Sequence, residues 1–148
     1  MGLKLTLKPN ERIVVNGCVI RNSNKRQVIT IENRADVVRG EDLLPESSPA
    51  LPVRQAYFLI QTALISPDTR EKLVPVIQEL LVKIITIFGR DKTTGVFEAA
   101  NFIAVQDYYK AMSALRPLMR HETAVAEYAA QQRLREAGDA PPSALAES

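Results

Sequence analysis

Leu3-Lys4-Leu5-Thr6-Leu7-Lys8-Pro9-Asn10-Glu11-Arg12-Ile13-Val14-Val15-Asn16-Gly17-Cys18-Val19-Ile20-Arg21 opens the chain with three alternating segments and the two turns between them. Leu3, Leu5 and Leu7 fall on one side of an extended chain and Lys4, Thr6 and Lys8 on the other. That period of two predicts a half-buried strand with a cationic outer face. Lys8-Pro9-Asn10-Glu11 reads as a turn, since proline sets φ and asparagine tolerates positive φ. Arg12-Ile13-Val14-Val15 runs into Asn16-Gly17, a strong hairpin signal because a type I′ turn needs positive φ at both central residues. Cys18-Val19-Ile20-Arg21 is the return strand. Outward from there, Asn22-Ser23-Asn24 is a polar turn, Arg26 to Glu32 a fourth strand, Asn33-Arg34-Ala35 a loop and Asp36-Val37-Val38-Arg39 a short fifth strand.

Charge is distributed unevenly. Between Leu3 and Gly40, Lys4, Lys8, Arg12, Arg21, Lys25, Arg26, Arg34 and Arg39 face only Glu11, Glu32 and Asp36, a surplus of five, whereas the whole chain carries +2. The remainder is therefore mildly acidic. A basic half joined to an acidic one points to an anionic partner, with RNA or DNA the usual candidates. The basic segment lacks aromatic residues to stack on bases, so binding there would rest on backbone charge and polar contacts to base edges.

A chain of 148 residues is long enough for one ordinary core or two small modules in contact. Its single cysteine, Cys18, has no partner for an internal disulfide, and no Cys/His group has zinc-ligand spacing, in keeping with a reducing compartment. Lys4 and Lys8 interrupt the only N-terminal apolar run, which argues against a secretory signal. The apolar stretch Leu73 to Phe88 contains Pro75, Gln78, Glu79 and Lys83, too polar for a membrane span. A soluble, cytoplasmic protein is expected.

After the fifth strand the composition breaks. Gly40 to Pro52 holds Pro45, Pro49, Pro52 and Ser47-Ser48, the marks of a linker, and beyond it the pattern turns helical. Val53 to Ile65 is apolar nearly all round, which fits a buried helix or a buried strand over Tyr57–Ile60. Ser66-Pro67 predicts a helix start, a hydroxyl cap followed by proline, for a helix that Gly89 ends. Leu73, Ile77, Leu80, Leu81, Ile84, Ile85 and Phe88 recur at helical spacing as its core face, and Pro75 is expected to kink it. A short helix over Val96–Val105 and a longer one from Asp107 towards Glu136, bent or broken at Pro117, complete the pattern. The expected architecture is α+β: a basic β-module at 1–44, a Pro/Ser-rich linker at 45–52, a helical domain at 53–137 and a disordered tail at 138–148.

Templates for catalysis are missing: the chain has no Gly-rich phosphate loop, GxSxG, HExxH or CxxC. His121, the only histidine, sits between Arg120 and Glu122 and reads as a surface residue. Neither an enzyme nor a cofactor is expected.

The order strand, Lys8-Pro9-Asn10-Glu11, strand, Asn16-Gly17, strand, then Ala35-Asp36-Val37-Val38-Arg39-Gly40-Glu41-Asp42-Leu43, resembles the CsrA family of translational regulators. That resemblance implies a five-stranded module that dimerises through interleaved edge strands and grips single-stranded mRNA loops. Lys8, Glu11 and Arg39 match that family's pattern, whereas Leu7 stands where it places a second basic residue and Asn10 where it prefers glycine. Over roughly residues 1–135 the chain is similar to the FlbT family of flagellin post-transcriptional regulators. The shared features are Leu3-Lys4-Leu5, Lys8-Pro9, Asn16-Gly17, Arg54-Gln55-Ala56-Tyr57-Phe58 and Tyr108-Tyr109-Lys110-Ala111. The likeness implies binding to the 5′ untranslated region of flagellin mRNA, repression of translation or promotion of mRNA decay, and partnership with the small flagellar protein FlaF and with flagellin itself.

Together these readings place RNA on Lys4, Lys8 and Arg39, supported by Arg21, Lys25, Arg26 and Arg34, in a groove formed when two β-modules pair into a homodimer. Arg39 has two readings, a bidentate contact to guanine or an ion pair with Glu41 or Asp42. Tyr57, Tyr108 and Tyr109 are candidates for a protein partner on the helices. A second function stays open: an assembly factor or chaperone adaptor that binds FlaF or flagellin without RNA affinity.

Overall fold

A computed structural model describes residues 2–47 and 50–138. The tail assigned to 138–148 therefore lies, apart from Gly138, outside the described residues. Five strands precede four helices: β1 Leu3–Leu7, β2 Arg12–Val15, β3 Cys18–Arg21, β4 Gln27–Ile31, β5 Val37–Val38, α1 Pro52–Ile65, α2 Arg70–Phe88, α3 Thr94–Ala104 and α4 Tyr108–Gly138. The α+β organisation expected from the sequence is the observed one, and the Val53–Ile65 segment is helix rather than strand.

The strands form two antiparallel groups. β1 pairs with β4, Leu3 opposite Ile31 and Leu7 opposite Gln27. The other sheet has the order β3-β2-β5. The Asn16-Gly17 turn sets its register: φ is 49° at Asn16 and 81° at Gly17, both positive as a type I′ turn demands. Arg12 then falls opposite Arg21, and Val14 opposite Val19. Gly17 is required twice over, since a Cβ there would also stand 2.9 Å from the Leu64 carbonyl oxygen at the end of α1.

Alternation along β2 gives the strand two buried faces. Ile13 joins Leu5 and Leu7 in a small cluster flanked by Val15, Ile29, Ile31 and Val37. Val14 and Val38 point the other way and share one core with α1 (Val53, Ala56, Tyr57, Ile60), α2 (Ile77, Leu81, Ile84), α3 (Val96, Ala99, Ile103) and α4 (Met112, Leu115, Leu118). Each large aliphatic buried this way contributes roughly 1.5–3 kcal/mol. The β-module and the helices thus share a core.

Gly40–Leu44, read from composition as the start of a linker, is docked on the helices. Gly40–Asp42 forms a 3-10 turn, and Gln61 Nε2 donates to the Leu44 carbonyl at 2.9 Å while its Oε1 accepts from the Leu44 amide at 2.8 Å. Side-chain amide and backbone match like two peptide groups in a ladder, fixing the segment to α1.

Both ends of α1 are satisfied by side chains from outside the helix rather than by local side-chain caps. Pro52 opens α1 at its first turn, but the cap comes from elsewhere: the buried carboxylate of Glu122 on α4 accepts from the amides of Val53 at 2.7 Å and Arg54 at 3.2 Å. Ser66 makes no side-chain cap; Pro67–Thr69 is a 3-10 turn before α2, and Arg70 Nε returns to the Ala63 carbonyl at 2.7 Å, satisfying the end of α1. Both α2 and α4 run unbroken, through Pro75 and Pro117 respectively. No helix among the described residues is long and apolar enough to cross a membrane.

Candidate nucleic-acid interface

Two turns interlock at one end of the β-module. Asn22, buried, donates through Nδ2 to the carbonyls of Lys8 at 2.8 Å and Lys25 at 2.9 Å, and the Asn22 amide donates to the Glu11 carbonyl. The β1–β2 turn and the β3–β4 turn are thereby tied side by side. Lys8, Arg21, Lys25 and Arg26 gather there, all exposed, and Arg12, directly opposite Arg21, joins them. None of the five forms an ion pair among the described residues. Like charges facing each other across two strands repel, so the cluster is a standing positive field suited to an anion.

The other expected RNA residues are placed differently. Lys4 lies four residues along β1, about 13 Å from Lys8 at the strand rise, on the exposed face opposite Thr30. Arg34 lies beyond the Leu3–Ile31 end of the ribbon, away from the cluster. Arg12 is a member of the cluster that the RNA residues expected from the sequence do not include. Its signal was in the hairpin: once Asn16-Gly17 is the turn, counting outward puts Arg12 against Arg21.

Arg39 is engaged within the chain. Its Nε donates to Glu11 Oε2 at 3.1 Å, and its Nη2 donates to the Thr6 carbonyl at 2.7 Å and to Glu11 Oε1 at 3.4 Å. Its side chain is 32% exposed. The acidic partner is thus Glu11 rather than Glu41 or Asp42, because the Gly40–Asp42 turn carries those residues towards the helices, where Asp42 lies 3.8 Å from Arg116. Glu11 also accepts from the amides of Lys8 at 2.9 Å and Gly40 at 3.4 Å. The Lys8 amide first, and then Arg39, hold the Glu11 carboxyl below its ordinary value.

Of the three tyrosines, Tyr57 is fully buried and Tyr108 is 3% exposed, so both belong to the core and present no surface to a partner. Tyr57 donates its hydroxyl proton to the Asp42 carbonyl and accepts from Arg116 Nε at 3.1 Å; burial pushes its hydroxyl pKa up. Adjacent residues on a helix face different ways, and Tyr109 is accordingly the half-buried one. No group of His, Cys, Asp and Glu side chains among the described residues is arranged to hold a metal.

Comparison with known proteins puts this geometry in a lineage. Residues 3–126 match the family model described as "Flagellar protein FlbT". A protein of Rhodopseudomonas palustris strain TIE-1, named "Probable flagellum biosynthesis repressor protein FlbT", is 33% identical over 125 residues, covering 82% of this chain and 95% of its own. The "Flagellum biosynthesis repressor protein FlbT" of Caulobacter vibrioides strain ATCC 19089 is 29% identical over 126 residues, covering 82% and 87%. One from Caulobacter sp. strain K31 is 28% identical over 123 residues, covering 82% and 94%. No solved structure matches the chain.

Proposed function

Because the chain belongs to the FlbT family, whose curated relatives are named as repressors of flagellum biosynthesis, we propose that it is a post-transcriptional repressor of flagellin synthesis. It binds the 5′ untranslated region of flagellin mRNA in the cytoplasm, represses translation or promotes decay of the message, and so couples flagellin supply to assembly. The observation that carries this reading is the convergence of Lys8, Arg12, Arg21, Lys25 and Arg26 at one end of the β-module without internal ion pairs. An RNA strand laid across them exchanges condensed counterions for lysine and arginine. Lys4 extends the track along β1, and Arg39, fixed by Glu11, is a preorganised rather than a mobile donor.

FlaF and flagellin are the protein partners in this reading, met on the helical half, where Tyr109 remains accessible. β1 pairs with β4 and β5 with β2 within the chain, so a homodimer through the β-module would use a strand edge left free, such as the outer edges of the β1–β4 ribbon.

Titration of the full chain with labelled flagellin leader RNA tests the proposal. Three to five phosphate contacts predict a log K against log salt slope of about −2 to −3.5. A flat salt dependence, or equal affinity for the double charge reversal Lys25→Glu/Arg26→Glu, would overturn it.

One observation favours the second reading, a flagellar assembly factor that binds protein alone. Leu7, where CsrA-type modules carry a basic residue, is only 2% exposed inside the small β cluster. The fold leaves no room there for a charge, and the same titration separates the two readings.

A further inference from the structure

β3 is a strand with one edge left open by the fold. It is the outermost strand of the β3-β2-β5 sheet, and all four of its residues are exposed, with Val19 at 46% and Ile20 at 40%. Their cross-strand partners Val14 and Ile13 are completely buried, so the apolar layers on both faces of β2 run out onto β3 and stop half covered. A two-residue hairpin closes on a hydrogen-bonded pair, here Val15 and Cys18, and such pairs alternate with non-bonded ones. Val14–Val19 and Arg12–Arg21 are therefore the non-bonded pairs, and the N–H and C=O of Val19 and Arg21 face away from β2. Among the described residues none bonds to them.

A cavity of about 690 Å3 lies on one face of this edge. Val14, Val19, Leu43, Leu44 and Ile65 give it apolar lining, and Lys8, Glu11, Arg12, Arg39 and Glu41 give it charged lining. Arg21 is on the same face as Val19 by alternation and opposite Arg12 by register. The combination is an open strand edge, a partly apolar cavity lined by its outward-facing Val19, and a double positive charge without ion pairs two residues further on. Strand addition uses such an arrangement: main-chain bonds supply affinity, and a pocket for alternate side chains supplies specificity.

We propose that β3 is a docking edge for an extended segment of another protein, which adds as a fourth strand. The segment carries an apolar side chain opposite Val19, placed in the cavity, and a carboxylate opposite Arg21, two residues away on the same face. Charge selects this occupant over a second copy of the chain, because self-pairing of β3 would bring Arg12 and Arg21 of two molecules together with no acid in register. Arg21 belongs to this edge and to the basic cluster alike, so the segment and RNA would compete for it.

The test is selection of random dodecapeptides, displayed on phage, against the full-length protein, followed by amide exchange with the synthetic winners. The proposal expects convergence on an apolar and an acidic residue two apart. It also expects protection of the Val19 and Arg21 amides, and at least a tenfold affinity loss on Arg21→Glu. N-methylation of the peptide at alternate residues probes the edge without touching the protein: one register should abolish binding and the other should leave it intact. Absence of a consensus, protection elsewhere, equal effects of the two methylation registers, or protection of Val19 and Arg21 by a single-stranded RNA and by no peptide would each overturn the proposal. A concentration-dependent dimer whose β3 amides are protected without peptide would do so as well.

Discussion

Arg39 Nε meets Glu11 Oε2 at 3.1 Å across 28 residues of sequence, and the same guanidinium reaches the Thr6 carbonyl on β1. One carboxylate and one guanidinium thus tie the end of β1, the first turn and the exit from β5 into a single corner. The corner decides what Arg39 can do, because a donor already held in two places presents a fixed geometry to any acceptor at little further entropic cost.

Glu11→Gln should destabilise the protein by about 1–2 kcal/mol at neutral pH, by weakening charge-assisted bonds to Arg39 and the Lys8 amide. The Glu11 carboxyl is held below its ordinary 4.5. Its contribution is therefore complete above about pH 4.5 and is lost as the pH falls through the depressed value. Urea unfolding at a series of pH values checks this; a variant with the same acid-side slope as the parent would contradict it.

Glu122 should respond in the opposite sense. Burial raises its pKa, against the two amides it accepts from, so the folded state binds its proton more readily than the unfolded one. Stability from this group increases as the pH falls from neutral through the raised value, and changes no further below about 4.5. Glu122→Ala should cost roughly 2–3 kcal/mol by orphaning the Val53 and Arg54 amides, and Glu122→Gln less, since one oxygen acceptor remains. Thermal unfolding of both variants measures the difference, and equal losses would contradict the capping role.

Tyr57→Phe should lower stability by about 1–3 kcal/mol, because Arg116 Nε loses its acceptor and the Asp42 carbonyl its donor. Tyr109→Phe, at a half-buried position without a hydroxyl bond among the described residues, should be nearly neutral. Denaturation midpoints compared side by side decide the matter; equal shifts would place the tyrosines in equivalent environments, contrary to the fold.

Charge reversals should divide the basic residues into two groups. Lys25→Glu and Arg26→Glu should each weaken leader RNA binding several-fold and flatten its salt slope, whereas Arg34→Glu, beyond the far end of the ribbon, should do little. Binding isotherms at two salt concentrations suffice. An Arg34 effect as large as that of Lys25 would mean the RNA follows the ribbon's length rather than its end.

Much of this was legible in the chain. Leu73, Ile77, Leu81 and Ile84 recur at helical spacing in what is α2, and Asn16-Gly17 determines the β2–β3 register through its two positive φ values. Those are local effects, decided within a few residues by sterics and by the side on which apolar groups fall. From the same turn the opposition of Arg12 and Arg21 follows by counting.

What the sequence could not reveal are relationships between residues far apart in it. Arg39 had acids two and three residues away and chose one 28 positions back; α1 begins with leucine and proline and is capped by Glu122, 69 positions ahead. Tyr57 and Tyr108 carried the family likeness as possible contact residues and proved to be core. In each case the deciding quantity is desolvation. A carboxylate, a guanidinium or a phenol takes the partner that packing leaves within reach once water is gone, and only the assembled tertiary structure determines which partner that is.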